Sequence, residues 1–219
     1  MEKLRIISIV NFVRGGKSSI ARLLAEHLNT SILNFDPQRN SEYYNAVKTN
    51  NIPINSKIER LENKLMIETT SKIIDISSSS NMFICDFGGR FDERIKEFES
   101  DLYIVPTMDD FESISETAQA THYILKHNPN AKIIHILNMA MCISKSEKND
   151  FINGYFENMK QNKISVPYLI MPRSNLLKKM INSGKKTNDI IDTKISEKNY
   201  KSINAFVRDL IFKIKEISC

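Results

Sequence analysis

The sequence predicts an α/β protein: a mostly parallel, twisted sheet with helices on both faces. Three observations carry that reading. Short runs of Ile, Val, Leu and Phe alternate along the chain with longer stretches whose apolar residues recur at helical spacing. The short runs are continuously apolar, as strands buried on both faces are, instead of alternating with polar residues. The length of 219 residues suits one compact domain, 1–219, and a composition 41% hydrophobic and 26% charged is that of an ordinary globular chain.

Taken in order, the first strand is expected at Leu4–Val10, and a helix at Ser18–Leu28 follows with Ile20, Leu23, Leu24 and Leu28 on one side. Ser31–Phe35 is the second strand, stopped by Pro37. Ile58–Ile76 reads as a long helix, and the serine run Ser77–Ser80 as a loop. Strands at Met82–Asp86, Leu102–Pro106, Lys132–Asn138 and Pro167–Met171 alternate with helices at Asp110–His127 and Lys145–Asn162, and a helix at Ser174–Asn182 follows the last strand. The closing helix, Ser196–Ile217, gathers Ile203, Phe206, Val207, Leu210, Ile211, Ile214 and Ile217 on one face, the pattern of a helix docked on a sheet or of a short amphipathic helix laid on a membrane.

Several function classes are excluded by composition. The longest apolar runs, such as Ile6–Val13, fall well short of the roughly 18 residues of a membrane span. The N-terminal stretch lacks the features of a secretory signal. Cys85, Cys142 and Cys219 are widely separated and form neither a disulfide framework nor a zinc pattern, so a cytoplasmic setting is expected. His27, His122, His127 and His135 share no ligand spacing, and His135, within an expected strand, reads as a core or edge histidine. Charge is uneven: the net +5 divides into +8 over residues 160–219 and −3 over the rest. A basic C-terminal quarter suits either a polyanion such as DNA or a solvated lysine-rich face.

In a parallel sheet, ligands bind beyond the C-terminal strand ends, so the chemistry should lie just after each strand. The first strand runs into Asn11-Phe12-Val13-Arg14-Gly15-Gly16-Lys17-Ser18-Ser19 and then directly into a helix. Gly15 and Gly16 allow backbone N–H groups to curl around phosphate oxygens, Lys17 supplies a cation, and Ser18 can coordinate Mg²⁺. The helix that follows aims its positive end at the same place. Asn11 stands where the full phosphate-loop pattern has its first glycine. Asp36, at the tip of the second strand, could orient water or help to bind the metal, or it could simply begin an Asp-Pro turn. Asp86 closes an apolar strand and precedes Phe87-Gly88-Gly89, as a carboxylate that holds Mg²⁺ would.

Together these residues resemble the ParA/MinD group of P-loop ATPases. The resemblance rests on RGGKSS at 14–19, NFDPQ at 34–38, ICDFGG at 84–89, DLYIVP at 101–106, ILN at 136–138, and MPRS at 171–174 followed by Gly184-Lys185. It implies a P-loop NTPase fold, with ATP and Mg²⁺ as ligands. It implies that Gly15, Gly16, Lys17, Ser18 and Ser19 hold the phosphates, that Asn138 and Pro172 lie by the base, and that Ser18 and Asp86 bind the metal. Lys17 and Asp36 would carry catalysis. The family's second, signature lysine aligns with Phe12 when no gap is allowed; with a one-residue deletion Arg14 comes close to it and could act as a charge clamp on the partner subunit. The first aspartate of the family's DxD is Asn34 here.

The function that the resemblance implies is that of a weak ATPase stimulated by a partner, acting in plasmid or chromosome partition or in conjugative mobilisation. A homodimer would form around the nucleotide and bind non-specific DNA through Lys178, Lys179, Lys185, Lys186 and Arg208. A centromere-binding or relaxosome-type protein would be its partner, at the nucleoid in the cytoplasm. No room is expected before Leu4 for an operator-reading domain. The alternatives are a non-hydrolysing nucleotide switch or adaptor and a MinD-like membrane-associated ATPase. A small-molecule kinase or ligase on the same fold ranks last.

Overall fold

The computed structural model describes residues 5–12, 15–36, 47–53, 56–61, 64–69, 73–77, 82–88, 94–140, 142–174 and 194–218. Seven strands form the main sheet: β1 (Arg5–Ile9), β2 (Ser31–Asn34), β3 (Thr49–Asn51), β7 (Met82–Asp86), β8 (Leu102–Thr107), β9 (Ile133–Asn138) and β10 (Tyr168–Met171). Their spatial order is β10-β9-β8-β1-β7-β2-β3, and every pairing is parallel. The continuously apolar runs are explained by this arrangement, because alternate residues enter different cores. Ile7, Ile9, Ile84, Leu102 and Ile104 face one core, while Ile6, Phe83, Cys85, Tyr103 and Val105 face the other.

The first core is closed by α1 (Lys17–Leu28) and the terminal helix α5 (Lys194–Ser218). Ile203, Phe206, Val207, Leu210 and Ile214 of α5 are buried there, so the apolar stripe read from the sequence packs on the sheet. No helix among the described residues is long and apolar enough to cross a membrane. The second core lies under the short α2 (Arg94–Glu97) and α3 (Phe111–His127), and α4 (Lys145–Gln161) packs against α3 through a third cluster. Both longer helices start with side-chain caps. Asp110 accepts from the Ser113 N–H, and Ser144 and Glu147 form a reciprocal capping box.

The helix expected over Ile58–Ile76 is not formed. That stretch is an antiparallel meander, β4 (Lys57–Arg60), β5 (Lys64–Glu68) and β6 (Ile73–Ser77). In KLMIE the burial alternates, with Leu65 and Ile67 inward and Lys64 and Glu68 outward. Leu65 faces Ile76 across the ladder, and Ile58 faces Ile67. The period is therefore 2, and β-branched Ile and Thr suit a pleated surface better than a helix. Leu65, Ile67 and Ile76 seal the second core in place of a helix. Arg60 ties the meander to the sheet through both carboxylate oxygens of Asp101, at 2.9 and 3.2 Å, and Asp101 also accepts from the Ile6 N–H at 2.7 Å. The strand β3 and the one-turn helix α2 were too short to stand out in the sequence. The helix expected at Ser174–Asn182 lies outside the described residues.

His135, fully buried in β9, joins three elements. The Thr121 hydroxyl donates to the Thr117 carbonyl at 2.7 Å, so it can only accept from the His135 Nε2–H at 2.8 Å. Nδ1 then accepts from the Tyr155 hydroxyl, also at 2.8 Å. Burial holds this neutral imidazole, lowering its pKa from 6.5 to about 3. The unfolded chain therefore binds the proton through the window from 6.5 down to about 3 while the folded chain does not. Stability contributed by the neutral ring is complete above that window and falls with pH inside it, by up to about 1.4 kcal/mol per pH unit. Urea unfolding of the wild type and His135→Gln at pH about 7.5 and about 5 should show the wild type losing about 2 kcal/mol more than the variant. An identical pH response in the two proteins would contradict this account.

Candidate nucleotide site

At the C-terminal ends of β1, β7, β8 and β9 the sequence-predicted residues converge. Asn11 leaves β1 fully buried and makes three bonds. Its amide donates to the Pro106 carbonyl at 2.5 Å and to the Thr117 hydroxyl at 3.2 Å, and its side-chain oxygen accepts from the Phe12 N–H at 2.6 Å. Asn11 thus pins the start of the loop to β8 and α3, a task that a glycine at this position could not perform.

The loop then returns so close to β8 that a Cβ on residue 15 would stand 2.4 Å from the Pro106 carbonyl oxygen. Only glycine fits there. Gly16 caps α1 with φ of 84°, in the left-handed region, and its carbonyl accepts from the N–H groups of Ser19 and Ile20 at 3.1 Å each. Asn138, at the end of β9, donates to the Gly15 carbonyl at 3.2 Å and accepts from the Ala140 N–H at 3.1 Å. Lys17 and Ser18 open the helix and both are buried, in the first turn, where the backbone N–H groups have no partner within the helix.

Across β1, Asp86 ends β7, fully buried, in register with Ile9 and with Asn34 of β2. Asn34 stands where the resembled DxD motif has its first aspartate, and its contacts are structural. It donates to Asn51 at 2.9 Å, and its side-chain oxygen accepts from the Asp36 N–H at 3.1 Å, which turns the chain at the strand end. The Asp36 carboxylate lies alongside Gly88, about where a Cβ on that glycine would touch it at 3.7 Å. Phe35 stacks on Phe87 with centroids 4.4 Å apart, tying the two loops together beneath the carboxylate. Cys85 faces the second core beside Ser8, and burial pushes its thiol pKa up, so it stays protonated.

Pro172 follows Met171, the register partner of Asn138, at the same end of the sheet. Phe12 packs edge-on against Tyr123 of α3 at 6.1 Å. Ser19 lies in the first turn of α1, and Arg208 is exposed on α5. Arg14, Lys178, Lys179, Lys185 and Lys186 lie outside the described residues. Sequence reasoning missed the bracing roles of Asn11, Asn34 and Asn138 and the part played by Arg94. Asn11 and Asn34 each carried a signal, as the residues that break the glycine pattern and the DxD pattern, but the sequence did not show what either binds.

The donor set fits a magnesium nucleotide. A hydroxyl and a carboxylate, Ser18 and Asp86, are the few hard oxygens that Mg²⁺ takes from protein while phosphate and water supply the rest. No cluster of three or more His, Cys, Asp or Glu suited to a metal occurs among the described residues. Asn11→Ala removes its donor bonds to Pro106 and Thr117 and the acceptor that it offers the Phe12 N–H. Urea unfolding should show a loss of about 1–3 kcal/mol, whereas unchanged stability would contradict the bracing role.

The sequence matches no protein-family model, and no curated protein is similar to it in sequence. Solved structures are similar in fold. An ATP complex of a McdA variant from Cyanothece superposes with a TM-score of 0.60 at 13% identity, over 94% of this chain and 97% of that one. The cell division ATPase MinD of Pyrococcus furiosus gives 0.56 at 12% identity, over 94% and 99%. A plasmid partition protein of Borrelia burgdorferi bound to AMPPNP gives 0.54 at 16% identity, over 94% and 99%. The chain therefore has the fold of the ParA/MinD-type P-loop ATPases.

Proposed function

We propose that this chain is a ParA-like ATPase that binds Mg-ATP, closes into a homodimer around it, and then binds DNA non-specifically. The observation that carries the reading is the glycine cradle. Gly15 and Gly16 approach Pro106 and Asn138 closely, Lys17 and Ser18 are the first residues of α1, and Asp36 and Asp86 stand at neighbouring strand ends. Structural neighbours include an ATP complex and an AMPPNP complex.

In this reading the backbone N–H groups after Gly15 hold the β-phosphate, and Lys17 offsets the charge that spreads over the γ-phosphate oxygens. Ser18 and Asp86 would hold Mg²⁺, which would supply positive charge against the charge that develops on the phosphates. Asp36, its backbone fixed by Asn34, would orient the attacking water and take its proton. Asn138 and Pro172, at the ends of β9 and β10, would flank the base. Arg14 would reach the partner subunit's phosphates in place of the signature lysine. Lys178, Lys179, Lys185, Lys186 and Arg208 would meet DNA phosphates, a contact that weakens steeply with salt. A centromere-binding or relaxosome-type partner would stimulate hydrolysis during plasmid or chromosome partition or conjugative mobilisation, at the nucleoid in the cytoplasm.

A second reading, a non-hydrolysing switch, is favoured by one specific contact. Phe12, at the gapless position of the signature lysine, packs on Tyr123 and supplies no charge.

Phosphate release from Mg-ATP, with and without duplex DNA, tests the first reading against the second. Slow turnover is expected, lost on Lys17→Ala and reduced about 10²–10⁴-fold by Asp36→Ala, with ATP-dependent DNA binding that fades as salt rises. Tight ATP binding with wild-type release no faster than in Lys17→Ala would instead establish the switch.

A further inference from the structure

Arg94 opens α2, six positions after Gly88, and its guanidinium is directed back into the protein. It is 9% exposed. One nitrogen donates to the Phe35 carbonyl at 2.8 Å, and another reaches the carbonyls of Ile52 and Pro53 at 3.4 and 3.3 Å. The same group lies over the Phe35 ring, 4.9 Å from its centroid. Phe35 is stacked in turn on Phe87 and tilted against Phe98, at 4.4 and 5.9 Å. Behind Arg94, Ile95 and Phe98 anchor α2 in the second core.

These contacts converge on the residue before Asp36. A guanidinium offers five N–H groups in a rigid fork, so it can hold several carbonyls and a ring face at once; an ammonium cannot. Placing such a charge inside the protein is costly, and several oriented carbonyls and a π face are the kind of environment that offsets it. The strand end that carries Asp36 is therefore fastened to Arg94 through Phe35, and the Phe35 ring carries the contact on to Phe87, the residue after Asp86. We infer that Arg94 is a positioning residue of the phosphate site. It fixes Phe35, and through it the Asp36 backbone, to the chain that follows Asp86, so that the two carboxylate-bearing loops respond to nucleotide as one body. The inference rests on the nucleotide-binding reading above.

The discriminating variant is Arg94→Lys, which keeps the charge and loses the fork. Hydrogen exchange would be followed with and without Mg-ATPγS, at a temperature where both proteins are folded. In the wild type, nucleotide should slow exchange over residues 15–28, and also over 31–36 and 47–53. In Arg94→Lys the affinity for ATPγS should stay within about threefold and protection over 15–28 should persist, while protection over 31–36 and 47–53 is lost. Turnover should fall about tenfold or more, and adding Arg94→Lys to Asp36→Ala should lower the rate no further. Phe35→Leu, which removes the ring between Arg94 and Phe87 but keeps apolar bulk, should show the same split more weakly and serves if Arg94→Lys does not fold.

Retained protection over 31–36 in Arg94→Lys would overturn the inference while leaving nucleotide binding intact. So would a loss shared equally by 15–28, or rate losses that multiply with Asp36→Ala, since each marks a merely structural staple. Failure of the wild type to bind ATPγS would overturn the nucleotide reading itself, and the coupling with it.

Discussion

The carbonyl oxygen of Pro106 occupies the space that a side chain on residue 15 would need. Much of the site depends on that close approach. Backbone this tightly seated on a strand end cannot be held by side-chain packing, so it is held by amides. Asn11 fixes the entrance to the turn and Asn138 the middle, each bonded to main chain on both sides of its amide group. With Gly15 seated against the sheet, Gly16 can turn through the left-handed region and start α1, whose first residues are Lys17 and Ser18. Each bond contributes only about 1 kcal/mol net. Their larger effect is geometric, since the N–H groups of the turn are arranged before any ligand arrives.

A second set of constraints acts on the other side of β1. Phe35 and Phe87 join the ends of β2 and β7 by stacking, Asn34 turns the chain at Asp36, Arg94 holds the Phe35 carbonyl, and the antiparallel meander covers the core beneath them with Leu65, Ile67 and Ile76. The site thus has two halves of different character. One is a backbone cradle clamped by two asparagines, and the other is a pair of carboxylates on loops joined by aromatic stacking and one buried arginine. The parallel register of β1 with β7 brings the halves together, placing Ile9 opposite Asp86.

Much of this was legible in the residues. Continuously apolar runs such as those of β1, β7 and β8 can be buried on both faces only in a sheet of this kind, and RGGKSS followed by a helical pattern located the cradle. The Ile58–Ile76 stretch misled because its leucines and isoleucines fit both periods over a short window. The inward alternation of Leu65 and Ile67 became decisive only with the sheet edge and core in place. The bracing amides were hidden for a different reason. Asn34 and Asn138 read as members of ligand-binding motifs, whereas their bonds to Asn51 and Gly15 join segments that only the fold brings together. Arg94 carried no sequence signal at all, because its partners are carbonyls of residues 35, 52 and 53, and carbonyls have no sequence.

The central claim is that a preformed backbone cradle takes a magnesium nucleotide. Calorimetric titration of the wild type and of Gly15→Ala with ATPγS, each with and without Mg²⁺, tests it most directly. The account predicts Mg²⁺-dependent binding at one site per chain, weakened by a factor of about ten or more when a methyl group pushes the loop off Pro106. Equal binding by both proteins, or binding indifferent to Mg²⁺, would contradict it.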